Sequence, residues 1–492
     1  MADTLTHPIL HPDRFFFGGK WVEPSAKTMI EVRDSASEDV FLTVAEAQVD
    51  DVNRAVAAAR DAFDNGPWPR MSHAERAGWL NRIADAWEKR GKHFADTWTQ
   101  ESGVLYSIAS PGAPNISQTF RFYAGLAESF EWEEPHTTRT GQPALLVREP
   151  VGVVAAIIPW NGPNGLMAYK CAAAMIAGCT VIIKGSPEAP ASPYLFAEIC
   201  EEIGLPPGVI NILTADRKVS EQLVRHPGVD KVSFTGSTAA GRKIASICGE
   251  RIARCTLELG GKSPAIILDD YDLGEAAESI SRTARFLTGQ VCSSLTRLIV
   301  SRNRHDDFVD ALSESFSKVK VGDPMDPASQ MGPLAMERQR DRVEMLIGKG
   351  KDEGARLVTG GGRPAHLNRG YFIEPTIFAN VDNGSTIARE EIFGPVLCVI
   401  PADSEEDAIR IANDTIYGLN SSVFTNDPER AYAVGRRIRA GTVGHNEWKT
   451  DFSIAFGGFK QSGLGREGGT EGMYPYLETK TMIFETMPES RS

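Results

Sequence analysis

The sequence predicts an α/β protein organised around a parallel sheet with helices on both faces, and three observations carry that reading. First, the runs Val153 to Ile158, Thr180 to Lys184, Val209 to Leu213 and Lys231 to Phe234 are short and nearly continuously apolar, the mark of strands buried on both faces. Second, stretches of helical spacing separate them: Gly165 to Ala177, Tyr194 to Ile203 and Ser220 to Arg225. That alternation implies right-handed crossovers between parallel neighbours. Third, a second α/β region opens after Gly260-Gly261 with the strand Pro264 to Leu268. Parallel sheets bind ligands beyond the carboxyl ends of their strands, so the junctions after these strands are where chemistry is expected.

Bulk properties bound the answer. A chain of 492 residues is too long for one core, so at least two domains are expected and three are reasonable. The net charge of −13 argues against nucleic-acid and anionic-membrane surfaces, while leaving room for a local basic pocket. The N-terminal segment Met1 to Phe17, with His7, His11, Asp13 and Arg14, holds no apolar core of signal-peptide length. The most apolar run, Cys171 to Ile183, lies between Lys170 and Lys184 and falls short of the ~20 residues that span a bilayer. Seven cysteines are scattered without a CxxC pair or ligand spacing, which reads as reduced thiols in a cytoplasm and no metal site.

In chain order, Phe15 to Val22 reads as two short strands about the Gly18-Gly19 turn, and Val49 to Phe63 as a helix. Pro67 and Pro69 break that pattern. Ser72, with Glu75 three residues on, forms a capping-box signature ahead of a helix from Ala74 to Arg90. Another helical region precedes Pro135, and Ala144 to Arg148 reads as a strand leaving the domain. Past residue 260, Gly322-Asp323-Pro324, Gly360-Gly361-Gly362 and Gly394-Pro395 mark loops. Tyr474 to Glu485 alternates like a strand with no partner nearby in sequence; with Ala144 to Arg148 it suits an arm that pairs with another subunit.

Four junctions carry candidate chemistry. Phe234-Thr235-Gly236-Ser237 leads from a strand into a helix whose first N–H groups and dipole suit a diphosphate. Lys184, at the end of the second buried strand, adds a cation on the same edge. Glu258 sits in the apolar strand end Leu257-Glu258-Leu259-Gly260-Gly261, where burial would raise its pKa into the range of a general base. Asn161 follows the first buried strand in Pro159-Trp160-Asn161, where its amide suits an oxyanion. Cys292 lies between Gly289-Gln290-Val291 and the strand Thr296 to Val300, at a junction that presents a thiol at a sheet rim. Each of these has a plain structural explanation taken alone: a turn glycine, a surface Glu, a capping Asn, a core cysteine.

In this order and together, these junctions resemble the NAD(P)-dependent aldehyde dehydrogenase superfamily, over nearly the whole chain from Phe17-Gly18-Gly19-Lys20-Trp21 to Lys480. Further matching pieces are Glu390-Glu391-Ile392-Phe393-Gly394-Pro395 and Phe456-Gly457-Gly458-Phe459-Lys460-Gln461-Ser462-Gly463. The resemblance implies a Rossmann-type NAD(P)-binding domain (1–127 and 151–260), an α/β catalytic domain (261–472) and a β-arm for oligomerisation (128–150 and 473–492). By the same likeness Cys292 attacks the aldehyde carbon, Asn161 and the Cys292 N–H hold the oxyanion, and Glu258 activates water to release a carboxylate from a thioester. Cofactor contacts map to Pro159, Trp160, Lys184, Ser186, Gly236, Ser237, Leu259, Gly260, Glu391 and Phe393.

Two departures from the family pattern bear on specificity. In Lys184-Gly185-Ser186-Pro187-Glu188, Pro187 stands where relatives often carry the acid that binds the adenosine ribose. NAD is the expected cofactor, with Glu188 as partial substitute, and NADP is left open. Gly162 stands where relatives often carry a bulky residue, and Tyr169, Phe286, Val291, Trp448 and Phe456 match pocket-lining positions. That predicts a roomy, largely aromatic tunnel for a bulky apolar or aromatic aldehyde. Arg285, one residue from the lining, reads as a helix-surface arginine. A CoA-acylating semialdehyde dehydrogenase and a catalytically idle protein on the same fold are the competing readings. The family further implies a homodimer or homotetramer.

Overall fold

The computed structural model describes residues 8–488; His7 and the last four residues of the expected arm lie outside them. The first sheet has eight strands. Its centre is five parallel strands, Val153–Ile157, Thr180–Gly185, Ile210–Thr214, Lys231–Thr235 and Arg254–Glu258. Numbered one to five in chain order, they stand 3-2-1-4-5. The chain therefore builds outward from Val153–Ile157 in one direction, returns, and builds outward in the other. The reversal opens a crevice between the ends of Val153–Ile157 and Lys231–Thr235, where such sheets take their ligands. Phe15–Phe17 and Lys20–Val22 close one edge antiparallel, turning at Gly18 and Gly19, both in the left-handed region.

The second sheet runs, in spatial order, Arg356–Thr359, Thr376–Ala379, Val396–Ala402, Leu295–Ser301, Ser263–Ile267, Ser422–Phe424 and Gly444–His445. All its pairings are parallel except that of its first two strands. Separate apolar clusters fill the two faces of each sheet. A third, antiparallel sheet joins Leu477–Ile483 to Pro143–Pro150 and Glu133–Thr137. The strand at the end of the chain thus pairs with the 143–150 segment of its own subunit.

Local chemistry explains the helices that frame the first sheet. Ser72 accepts from the Glu75 N–H, and Glu75 accepts from the Ser72 N–H at 2.8 Å, so the capping box starts His73–Lys89 as its sequence predicts. Trp87 on that helix is fully buried, stacks on Phe94 with ring centres 3.9 Å apart, and donates its indole N–H to the Ala113 carbonyl at 2.9 Å. Helix Tyr106–Asn115 was not visible in the sequence. It contains Pro111 and Pro114, which break helical patterns. Packing overrides propensity here, with Pro114 seated against Gly91 where no Cβ would fit.

A short strand from the far end of the chain reaches the first sheet and covers the edge that carries Glu258. Gly463–Leu464 pairs antiparallel with Leu257 and Glu258, the Leu259 N–H bonds Ser462 O at 2.9 Å, and Ser462 Oγ bonds Gly260 O at 2.6 Å. A Cβ on Gly463 would overlap the Leu257 carbonyl oxygen, so this contact needs glycine. Gly463→Ala is therefore expected to destabilise the protein by about 1–3 kcal/mol, as overpacking does, and to lower activity through Glu258. Thermal unfolding and turnover of the variant check this; unchanged values for both would show that the edge tolerates the shift.

Candidate active site

Three backbone segments converge beside this edge. The first follows Val153–Ile157 and carries Pro159, Trp160 and Asn161. The second is Glu258 to Gly261. The third is the loop from Phe286 to Ser294, ahead of Leu295–Ser301. The helix that the sequence carries up to this loop ends at Ala284, earlier than the Gly289-Gln290 pair. A tight turn follows, with Leu287, Thr288 and Gly289 all in the left-handed region, at φ of 48°, 56° and 70°. Two non-glycine residues held there are strained, and such strain persists only where surroundings impose it. Here Thr288 Oγ1 bonds Gly332 O at 3.0 Å, and Gly289 lies where a Cβ would collide with Gly394.

Downstream of the turn, side chains pin the loop on every side. Gln290 accepts from the Ala335 N–H at 2.9 Å and donates to Leu287 O at 3.0 Å. Asn161 Nδ2 donates to Gln290 O at 2.9 Å, leaving its second amide hydrogen for another acceptor. The Cys292 carbonyl runs so close to Gly261 that no Cβ would fit. Trp448 donates its indole N–H to Ser293 O at 3.1 Å and to Ser293 Oγ at 3.3 Å. Cys292 itself is partly exposed. Burial, then the neighbouring Glu391 and Glu258, push its thiol up, while the Ser293 and Cys292 N–H groups oppose that shift.

Glu258 is 3% exposed, and neither carboxyl oxygen has a hydrogen-bond partner among the described residues. Its pKa is raised well above the ordinary value, by burial first and then by Glu467; Lys170 and Arg466 act the other way. Glu467 is itself buried and ion-paired with the fully buried Lys170, and accepts from Ser233 Oγ at 3.2 Å. Lys170 is thus engaged by Glu467, while Glu258 is buried with no ionic partner of its own, which favours its protonated form. Gly457 makes room for it: a Cβ there would stand 2.7 Å from Glu258 Oε1. Glu391 accepts from the Gly261 N–H at 3.1 Å, and burial pushes its carboxyl up to about 7.

The other predicted residues fall into two groups. On the sheet edge, Lys184 is 8% exposed and burial pulls its ammonium down to about 8, against Glu188 and Asp216. Ser186 Oγ bonds Glu188, whose other oxygen pairs with Arg338 at 2.6 Å; Pro187 carries no acid. Ser237 caps Thr238–Glu250 by accepting from the Ala240 N–H. The glycine at 236 answers to packing, because a Cβ would lie 2.5 Å from the Phe234 ring, and its N–H bonds Glu258 O at 3.0 Å. The N–H groups left for an anion are those of the helix's first turn. Leu259 fills the space that a Cβ on Gly241 would need, a Cβ on Gly260 would collide with Glu391, and Trp160 packs edge-on to Phe393 at 5.4 Å.

On the pocket side, the structure brings Phe286 and Trp448 together, with ring centres 5.8 Å apart, at a cavity of about 650 Å³. Tyr169, Val291, Gly162 and Phe456 do not line that cavity. Tyr169 and Phe456 instead stack on either side of Phe452, at 4.5 and 4.2 Å. Phe452 was missed in the sequence, although its spacing from Phe456 is the only local signal. Arg282, Glu447, Lys449 and Asp451 also rim this cavity. Arg285 is partly buried and lies outside the lining, whereas Arg282 contributes to it.

A partly exposed thiol and a buried carboxyl at the carboxyl edge of a 3-2-1-4-5 sheet mark the site of an α/β enzyme. Comparison with known proteins specifies the kind. Residues 21–482 match the model of the "Aldehyde dehydrogenase family". A geranial dehydrogenase of Castellaniella defragrans is 43% identical over 468 residues, covering 95% of this chain and 98% of that protein. A 3-succinoylsemialdehyde-pyridine dehydrogenase of a Pseudomonas species is 42% identical over 475 residues, covering 95% and 98%. The crystal structure of a Mycobacterium tuberculosis aldehyde dehydrogenase complexed with NAD+ is 43% identical, with a TM-score of 0.93 over 98% of this chain and 99% of that one. An aldehyde dehydrogenase C mutant from Pseudomonas syringae, complexed with NAD+ and octanal, is 38% identical with a TM-score of 0.94 over the same shares. The chain belongs to the aldehyde dehydrogenase family, enzymes that oxidise aldehydes.

The buried carboxyl has a consequence for stability. Folding raises the Glu258 pKa above its ordinary value of 4.5, so the folded state holds that proton more tightly than the unfolded chain. Glu258 therefore costs nothing below pH 4.5 and destabilises progressively as pH rises toward its folded pKa. Glu258→Gln is expected to melt higher than the native protein at pH 8, with the gap closing toward pH 4.5. Melting curves across that range check the sign; a gap that widens on acidification would mean that Glu258 is held ionised.

Proposed function

We propose that this enzyme oxidises a bulky apolar or aromatic aldehyde to its carboxylate with NAD, using Cys292 as nucleophile and water as the final acyl acceptor. The observation that carries this reading is Glu258: a buried carboxyl with both oxygens unengaged, close enough to Cys292 to perturb its thiol. The residues present fit the cofactor. Lys184 offers a buried cation at the strand end, Glu188 on Ser186 supplies the acid that Pro187 lacks, and the helix start after Ser237 offers N–H groups to a diphosphate. Glu391 and Phe393 would hold the nicotinamide end.

In this reading Glu258, when ionised, takes the Cys292 proton, and the sulfur adds to the aldehyde carbon. The second Asn161 amide hydrogen and the Cys292 N–H bond the resulting oxyanion. When bound, the nicotinamide supplies the hydride acceptor that turns this adduct into a thioester. After giving the first proton up to solvent, Glu258 takes a proton from water, whose oxygen adds to the acyl carbon and expels the Cys292 thiolate. Because its pKa is raised, the carboxylate form is scarce at low pH, so turnover rises with pH beyond the ordinary carboxylate range.

Support for the substrate class comes from the Phe286 and Trp448 walls and from relatives whose names specify geranial and a pyridine-bearing semialdehyde. A hydrophobic wall of this kind separates substrates by about 1–3 kcal/mol per methylene, so long or aromatic aldehydes should outpace acetaldehyde at least tenfold in kcat/KM. A panel of aliphatic, aromatic and terpenoid aldehydes, run with NAD and NADP in parallel, tests both substrate and cofactor. Asn161→Ala should lower kcat by about 10²–10³, and Cys292→Ser should abolish NADH formation. Strict dependence on CoA would instead favour thiol transfer over hydrolysis.

A further inference from the structure

Trp448 is more than a wall of the cavity. Its backbone is held from three directions: Ser279 Oγ bonds Asn446 O at 3.3 Å, Ser422 Oγ bonds Glu447 O at 2.9 Å, and Asn420 Nδ2 bonds Lys449 O at 2.9 Å. From this fixed base the indole reaches across to Ser293, the residue directly after Cys292. Its N–H is shared between the Ser293 carbonyl and hydroxyl oxygens, while its ring lies against Phe286. Ser293 is 2% exposed, so solvent does not readily replace the indole as donor.

Ser293 matters because of what its own N–H does. Ser293 follows Cys292 directly, and the Ser293 and Cys292 N–H groups pull the thiol's pKa down against the burial and the carboxyls that push it up, because a backbone N–H near sulfur favours thiolate over thiol. Upstream, the loop is pinned by Gln290 and Asn161; on its flank it is pinned by Gly261. On the downstream, channel-facing side the pin is Trp448. We propose that Trp448 is a positioning residue: by gripping both oxygens of Ser293 it holds the backbone directly after Cys292, and with it the place of the Cys292 sulfur, which makes one side chain both channel wall and support of the nucleophile. This rests on Cys292 being the nucleophile. The charged groups that face the sulfur are Glu391 and Glu258, with Glu467, Lys170 and Arg466 behind Glu258; Trp448 itself does not titrate.

The test separates wall from support. Trp448→Phe keeps an aromatic ring and removes the donor, and Trp448→His returns a smaller ring with an N–H. Phe286→Leu removes the ring contact and leaves the donor in place. For each variant the measurements are kcat, aldehyde KM and the pH profile of inactivation by iodoacetamide. Trp448→Phe is expected to lose about three- to tenfold in kcat, as one hydrogen bond lost implies, with KM within about twofold. Its alkylation profile should move to higher pH, with His falling between Phe and the native enzyme. Phe286→Leu should change KM and leave the alkylation profile in place. A native profile and kcat in Trp448→Phe, a change in KM alone, or a His variant worse than Phe would overturn the inference. Failure of the underlying reading looks different: Cys292→Ser would then keep its activity whatever Trp448 does.

Discussion

The active site depends on the close passage of two backbones. Where the Cys292 carbonyl crosses Gly261, no side chain fits, and at the adjacent Gly260 the space belongs to Glu391. The Gly260-Gly261 pair is the link between the last central strand of the first sheet and the first strand of the second. The same two residues that carry the chain between the sheets thus let the Cys292 backbone pass directly beside the strand end of Glu258. This explains why the surrounding pins are so numerous. A loop with three consecutive left-handed residues would relax if it were free, and here Gln290, Asn161, Thr288 and Trp448 each remove one direction of relaxation.

The carboxyl side obeys a different logic. Glu258 lies in a strand whose neighbours on both sides satisfy its backbone, through Thr235 and Gly463. Its side chain is therefore free of structural duty. The buried Lys170–Glu467 pair would be an expensive feature if it served stability alone, since buried ion pairs seldom outperform apolar packing. Placed behind Glu258, the pair sets the local charge: its ammonium offsets one carboxylate, and burial keeps the second carboxyl protonated at low pH. Ser233 and Tyr476, bonded to one another at 3.1 Å, extend this polar seam to the start of the arm strand.

The sequence made the sheets legible wherever one physical signal dominated. Continuous apolar runs marked the central strands because both of their faces are covered, and the Ser72–Glu75 pair marked a helix start because a capping box is purely local. The misses have equally physical causes. Helix Tyr106–Asn115 carries two prolines and is held by packing. The strands Met29–Arg33 and Val40–Ala45 are partly exposed and pair only with each other, so their pattern is weak. Gly463–Leu464 is two residues long and meets Leu257 and Glu258 from some two hundred residues away. Among candidate residues, Asn161, Glu258 and Cys292 stood at strand ends and could be picked out there. Lys170 and Glu467 could not, because a buried lysine and a buried glutamate look like surface residues until the fold pairs them.

The pocket shows why specificity was the hardest property to read. Its aromatic residues come from three separate stretches of chain, and nothing in their local sequence says which rings will meet. Tyr169, Phe452 and Phe456 form one stack, with Phe452 in contact with both of the other rings. Phe286 and Trp448 form a second surface at the open cavity, beneath a rim that includes Arg282 and Glu447, 3.6 Å apart. The two surfaces also differ in what they are attached to. Tyr169, Phe452 and Phe456 stack on one another, whereas Trp448 is tied through Ser293 to the loop that carries Cys292. Changes in the stack should therefore alter the shape of the site, while changes at Trp448 should reach the loop that carries Cys292.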